Sequence, residues 1–250
     1  MHHLLSVRPA FMRRERRDLQ GQSEMHVGNA RYLSPKDLPG ILPVFPLTGA
    51  LLLPGAQLPL NIFEPRYLAM FDDALSGDRL IGIVQPSFAE GRSDIDSAPV
   101  PALCQVGCIG RITSFAETGD GRYITSLTGV CRYRLFAEIS GVRGYRRFRI
   151  GPFAADLEGP DDEALVDREA LLAAFRAYLD ANKLEADWES VERASNRTLV
   201  NSMAMMSPYG PAEKQALLEA PDLRTRAETL IAITEIVLAR SFGDLDNILQ

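Results

Sequence analysis

Five prolines within 23 residues, at positions 43, 46, 54, 59 and 65, constrain this chain more than any other feature. They break the apolar run that goes from Leu42-Pro43-Val44-Phe45-Pro46-Leu47 through Leu53-Pro54-Gly55 to Ile62-Phe63-Glu64-Pro65-Arg66-Tyr67. Each proline removes a backbone donor and fixes φ, so no long helix survives this spacing. Short extended pieces do survive, bent at each proline. Glu64-Pro65 then reads as a helix entrance, because proline tolerates the first helical turn.

The middle part of the chain reads as β-rich. Pro65 to Leu75 reads as a helix, with Leu68, Phe71 and Leu75 at helical spacing and Ser76-Gly77 as its stop. Leu58 to Phe63 reads as a short strand, and Arg79 to Gln85 as a strand buried on both faces. Val106 to Ala116 and Tyr123 to Leu127 flank Thr118-Gly119-Asp120-Gly121, a hairpin signal. The second run continues through Val130 to Phe136, and Tyr145 to Ile150 is a further strand that pairs beside it. Strands in series with short turns predict an antiparallel, barrel-like sheet.

From about Asp161 the period changes from 2 to 3.6. Leu165, Leu172, Phe175 and Leu179 form one stripe, widened by Leu171 and Tyr178. Trp188 to Met206 is a second helical region, Ala212 to Glu219 a short helix, and Asp222 an N-cap for the last helix. The fold class expected is α+β. Its parts are an N-terminal extension (1–37, disordered at least to 24), a β-rich unit (38–155) and an acidic helical unit (156–250). Charge follows the same division: net +3 over 1–37, +1 over 38–155 and −10 over 156–250. That balance argues against a whole-protein polyanion binder, since phosphate affinity comes from excess positive charge.

Composition excludes several classes. Hydrophobic residues make up 46% and charged residues 24%, the balance of an ordinary globular chain. No apolar stretch reaches the ~20 residues of a membrane span, and residues 1–24 lack the apolar segment of an export signal. Three cysteines make no disulfide framework, so a reducing cytoplasm is the expected compartment. All three histidines, His2, His3 and His26, lie in the first 37 residues. A Ser-His or Cys-His pair in the body is thereby excluded. Cys104, Cys108 and Cys131 read as small core residues rather than metal ligands.

Order and spacing of several segments resemble the Lon protease N-terminal domain family. These are Leu42 to Tyr67, Gly77-Asp78-Arg79 before an apolar strand, Val106-Gly107-Cys108-Ile109, and Asp120-Gly121-Arg122-Tyr123. Leu127-Thr128-Gly129-Val130-Cys131-Arg132-Tyr133-Arg134 and Glu213-Lys214-Gln215-Ala216-Leu217-Leu218-Glu219 complete the pattern, which covers about residues 38–240. The resemblance implies a PUA-like β-domain followed by a helical bundle. It implies non-catalytic binding of polypeptide substrates, or of a protease or chaperone partner, in protein quality control, with no cofactor. Members also occur as stand-alone proteins, and a related domain occurs in the substrate receptor cereblon. The ATPase and Ser-Lys protease modules of full Lon have no counterpart in these 250 residues. No Gly-Lys-Ser/Thr loop is present, and none of the three lysines, Lys36, Lys183 and Lys214, follows a glycine.

A second reading comes from Arg132, Arg134, Arg147 and Arg149. At period 2 each pair shares a strand face, and adjacent strands would align four guanidiniums with Tyr145 beside them. PUA-like domains elsewhere bind RNA, so RNA is the alternative partner. Glu64 and Arg66 read as an ion pair at the strand-to-helix corner, with Phe63 and Tyr67 packed there. Met203 and Met206 read as core, with Met205 pointing away.

Overall fold

The computed structural model of the protein describes residues 25–87, 101–140, 144–158 and 162–248. Residues 1–24, the expected disordered extension, lie outside them. Strands β1 (Met25–Val27) and β2 (Ala30–Tyr32) form a hairpin, turned at Gly28 with φ +63°. Then come β3 (Ile41–Pro46), β4 (Gln57–Ile62), α1 (Pro65–Leu75) and β5 (Leu80–Val84). The long antiparallel pair β6 (Val106–Glu117) and β7 (Tyr123–Glu138) follows, and β8 (Arg146–Pro152) ends the sheet.

The strand order is β4-β7-β6-β5-β3-β8, and β8 pairs back onto β7. The 16-residue β7 makes this closure possible. Its first half pairs with β4, from Tyr123↔Ile62 to Thr128↔Gln57, and its second half with β8, through Leu135↔Ile150. Five strands thus close into a barrel, and β4 extends the wall as a flap. One pairing departs from the antiparallel expectation: β3 and β5 run parallel, Val44 beside Gly82. The cause is α1, which carries the chain back so that β5 starts in the direction of β3. Such a crossover is what a parallel neighbour requires.

Alternation along the strands splits the buried residues into two cores. Leu42 and Val44, Leu80 and Val84, Tyr133 and Leu135, and Phe148 and Ile150 fill the barrel interior. Ile81, Ile83, Cys108, Ile112 and Leu127 point the other way, into a second core shared with Met70 and Phe71 of α1 and with the C-terminal helices. Both faces of β5 are therefore covered, which explains its unbroken apolar run. Tyr133 crosses the interior fully buried. A Cβ on Gly107 would lie 2.5 Å from its hydroxyl and 2.4 Å from Ile83 O, so that strand must be bare there.

The hairpin of β1 and β2 lies within the extension expected over 1–37, past the residues 1–24 expected to be disordered, and it is folded. Val27, Tyr32 and Leu38 pack into the barrel core. Arg111 of β6 donates to Tyr32 Oη at 3.2 Å, to Asp78 O at 2.8 Å and to Asn29 Oδ1 at 3.0 Å, tying the hairpin down.

Helices α2 (Ala155–Glu158), α3 (Arg168–Asn182), α4 (Trp188–Arg193), α5 (Asn196–Met206), α6 (Pro211–Glu219) and α7 (Leu223–Ile248) follow the last strand. Side-chain caps start four of them. Asp167 accepts from Ala170 N, Asp187 from Ser190 N, Ser195 from Thr198 N and Asp222 from Thr225 N. Leu171, Leu199, Leu217 and Leu230 bring α3, α5, α6 and α7 into the core shared with the sheet. The stripe expected on α3 is rotated. Leu171, Ala174, Tyr178 and Leu179 are buried, while Leu165 lies before the helix in a 3₁₀ turn and is 61% exposed. On α5, Met203 is buried as expected, but Met206 is 67% exposed and Met205 packs against the core. Met206 is the last helical residue, beyond the reach of its neighbours.

Two substitutions test this architecture. Gly129 lies where the 53–54 backbone crosses β7, and a Cβ there would sit 2.1 Å from Leu53 O. Overpacking of that kind costs about 1–3 kcal/mol or more, so Gly129→Ala is expected to lower the urea midpoint without changing the slope. Hydrogen bonds from Thr225 hold the Asp222 carboxyl below its usual value of 3.8. Its stabilisation is therefore full above that value and fades as pH falls through the lowered folded value. Asp222→Ala is expected to cost about 1 kcal/mol at pH 7, and the difference from wild type is expected to shrink in urea titrations taken well below pH 4.

Candidate binding site on the barrel wall

Past a bulge at Val130, where Val130 and Cys131 both face the barrel core, side chains from Cys131 to Arg134 go alternately in and out of the barrel. Cys131 and Tyr133 point in, Arg132 and Arg134 out. The two arginines meet different surroundings. Arg132 lies beneath the helices, 3% exposed, against an Asp156 side chain that is 9% exposed. Its Nε donates to Asp156 Oδ2 at 2.8 Å and its Nη2 to Oδ1 at 2.6 Å. Nη2 also donates to Pro221 O at 3.0 Å, and Nη1 to Leu218 O at 3.3 Å and to Ala220 O. All five guanidinium N–H groups are occupied. This corrects the four-arginine line expected from the sequence, because Arg132 is a structural clamp with no donor to offer a ligand. Arg226 is buried beside it, donating to Leu217 O at 2.9 Å, and burial with the neighbouring Arg132 lowers its pKa to about 10.

The remaining three, Arg134, Arg147 and Arg149, lie on adjoining strands of the outer wall. Arg149 is opposite Ile41 of β3, Arg147 is opposite Pro43, and Arg134 is opposite Gly151 of β8. None of the three has a carboxylate partner among the described residues. A register shift between Leu135 and Glu138 sets Phe136 and Ala137 against Arg149. Phe136 is 63% exposed and lies over Gly151, whose Cβ would come within 2.8 Å of its ring. Ile41 is 38% exposed on the far side. The strip therefore runs Ile41–Arg149–Phe136 across three strands, with Arg147 and Arg134 at its ends. Extending the period-2 reading of Arg132 and Arg134 by one step would have found Phe136; Ile41 carried no comparable signal.

Arg147 and Ile41 also line a groove of about 390 Å³ between β3 and the end of α1, with Pro43, Asp73, Asp78 and Tyr145. Tyr145 is engaged there, donating to Asp73 Oδ2 at 2.6 Å, so it does not stand beside the free arginines. Arg146 is likewise engaged. It makes a two-pronged pair with Glu138 at 2.7 and 2.8 Å, which holds the Glu138 carboxyl below its ordinary range.

Other residues singled out in the sequence have plain structural roles. Glu64 and Arg66 form an exposed ion pair at 2.8 Å, with the guanidinium 4.6 Å from the Tyr67 ring centre. Tyr67 packs 4.2 Å from Phe45, whereas Phe63 is 62% exposed rather than packed in the corner. Cys108 and Cys131 face opposite sides of the barrel wall, in different cores, and burial raises both thiols. Cys104 is half-buried, and burial raises it too. Among the described residues no group of three or more His, Cys, Asp or Glu converges as metal ligands. No helix among them is long and apolar enough to cross a membrane.

Residues 41–235 match the family model of the ATP-dependent protease La (LON) substrate-binding domain. The chain belongs to that family. It is 26% identical over 204 residues to Lon protease 2 of Myxococcus xanthus, covering 80% of this chain and 24% of the relative. It is 27% identical over 202 residues to Lon protease 1 of Bdellovibrio bacteriovorus, covering 77% and 24%. The chain thus spans about a quarter of the length of these curated relatives. Two solved structures share the fold. One is a Lon N-terminal domain protein from Xanthomonas campestris, with a TM-score of 0.55 at 24% identity, covering 77% of this chain and 97% of that one. The other is the N-terminal domain of a Mycobacterium avium complex Lon protease, with a TM-score of 0.56 at 21% identity, covering 78% and 98%. The match is to the substrate-binding domain and not to the protease or ATPase domains of Lon.

In this LON-type domain the two outward arginines of β7 are expected to behave oppositely on mutation. Arg132→Ala strands a buried Asp156 and three carbonyls, a loss of roughly 3–5 kcal/mol. Arg134→Ala removes an exposed, unpaired charge and stays within about 0.5 kcal/mol of wild type. Urea denaturation of both variants checks the contrast.

Proposed function

We propose that this chain is a non-catalytic binder of polypeptide substrates in protein quality control, acting in the cytoplasm beside a protease or chaperone. The observation that carries this reading is the match to a substrate-binding domain over residues 41–235, which takes in both the barrel and the helices packed on it. The chemistry of the side chains supports it. The one histidine among the described residues, His26, lies in the β1–β2 hairpin. Burial lowers the pKa of Lys214, as a general-base lysine requires, but its Nζ donates to Gly49 O at 3.0 Å and not to a serine hydroxyl. Lys214 is therefore not placed as the base of a serine nucleophile, which counts against an ATP-dependent peptidase reading.

RNA is the second reading, favoured by the three unpaired arginines on one wall. Against it stand the burial of Arg132 and the −10 charge of residues 156–250. A strand of phosphates close to that half meets repulsion.

The test is fluorescence anisotropy of the chain with reduced, alkylated lysozyme and α-lactalbumin, each against its native form. Binding to the unfolded forms and not the folded ones is expected, with no cleavage when ATP and magnesium are added. Equal indifference to folded and unfolded protein would overturn the substrate-binding reading, and ATP-stimulated cleavage would overturn the non-catalytic one.

A further inference from the structure

We propose that the strip of Ile41, Arg149, Phe136, Arg147 and Arg134 is the docking surface, and that its occupant is an extended polypeptide segment carrying Asp or Glu at every second position. This rests on the substrate-binding reading and gives it a place and a sequence preference.

Charge complementarity is the first argument. Arg134, Arg147 and Arg149 have no carboxylate partner among the described residues, while Arg66, Arg122, Arg132, Arg146, Arg193 and Arg224 are all paired with a carboxylate. Arg134 and Arg149 make a local cationic field on a segment, residues 38–155, whose net charge is only +1, and Arg147 extends it to the edge of the groove that Asp73 and Asp78 line. Guanidinium is also the group best shaped to take a carboxylate in two parallel hydrogen bonds.

Spacing is the second argument. Arg147 and Arg149 are two residues apart on one strand, so their side chains emerge about 6.8 Å apart, the same-side repeat of any extended chain. A segment lying along β8 offers a carboxylate to each in turn. The strip is not purely ionic. Phe136 and Ile41 flank Arg149 across neighbouring strands about 4.8 Å apart, so the methylenes of the carboxylate side chains that face the strip find apolar contacts on both sides. The bare Gly151 leaves room for the Phe136 ring against the strand.

These features favour a polypeptide over RNA. Ile41 gives no stacking platform, Phe136 gives one, and Tyr145 is engaged with Asp73. Single-stranded nucleic acid is held by successive aromatic platforms along a basic groove.

The test titrates fluorescein-labelled 12-residue peptides into the full chain. One alternates Asp with Leu and Phe, one has Lys in place of Asp, and a 12-nucleotide oligouridine is the third probe. The acidic peptide is expected to bind at least tenfold more tightly than the other two, and more weakly in 0.5 M salt, where charge is screened. Arg147→Glu with Arg149→Glu should abolish that preference, and Phe136→Ser should weaken the acidic peptide about tenfold. Arg122→Glu at the hairpin tip should change nothing. Phe136, Arg149 and Arg122 are exposed and Arg147 is half-buried on the outer wall, so circular dichroism is expected to report unchanged folding. Unaltered acidic-peptide binding in the double variant would overturn the docking surface. If the variant also still distinguishes unfolded from native lysozyme, substrate binding stands and only its location falls. Oligouridine bound more tightly than either peptide would overturn the polypeptide occupant itself.

Discussion

The fold depends on the burial of one cation. Arg132 leaves the barrel wall, meets Asp156 just after the last strand, and donates to the carbonyls of Leu218, Ala220 and Pro221 where α6 ends. A helix terminus leaves its last carbonyls without partners, and this guanidinium satisfies two of them, Leu218 O and Ala220 O, together with Pro221 O just beyond, from another part of the chain. Neighbouring contacts follow the same seam. Gln215 donates to Val106 O at 3.1 Å, Gln85 to Pro211 O at 2.9 Å, and Asn201 to Pro54 O at 3.1 Å. Buried polar groups of this kind stabilise when they are paired, and apart from Asn201 Oδ1, which is buried without a partner, the seam's groups fix one docking of the helices on the barrel. The sequence segments that carry the family resemblance, Leu127 to Arg134 and Glu213 to Glu219, are the two sides of this seam.

Much of this was legible in the residues because it is local. The helix Pro65–Leu75 begins at its proline and stops at Ser76, as spacing and breakers indicated. The strands around Asp120-Gly121 and the apolar run of β5 were equally plain, since turn chemistry and two-sided burial act within a few residues. Asp222 capped its helix as expected. What escaped was non-local. The parallel pairing of β3 with β5 depends on how α1 crosses the sheet. The fate of Arg132 depends on an aspartate 24 residues on and on a helix end more than 80 residues on. Period-2 alternation assigned Arg132 and Arg134 to one face correctly, but a face has no fixed solvent exposure until another element covers it.

That partial covering produces the candidate site. The helices close over Arg132 and stop short of Arg134, leaving Arg134, Phe136, Arg147, Arg149 and Ile41 as an open strip of charge and apolar surface on rigid strands. Rigidity matters for binding, because a backbone fixed in a closed barrel needs no ordering when a ligand arrives and only the exposed side chains lose freedom. An open strip on a fixed wall also suits a degenerate ligand, since alternate side chains of any extended segment arrive at strand spacing.

Nuclear magnetic resonance with selectively labelled arginine and methyl groups gives the most direct measurement, following each signal as an unfolded polypeptide is added. Shifts concentrated at the Nε signals of Arg134, Arg147 and Arg149 and at the Ile41 methyl, with Arg132 unmoved, are expected. Shifts concentrated on the helical residues 168–248, or a moving Arg132 signal with silent outer arginines, would contradict both the site and the clamp.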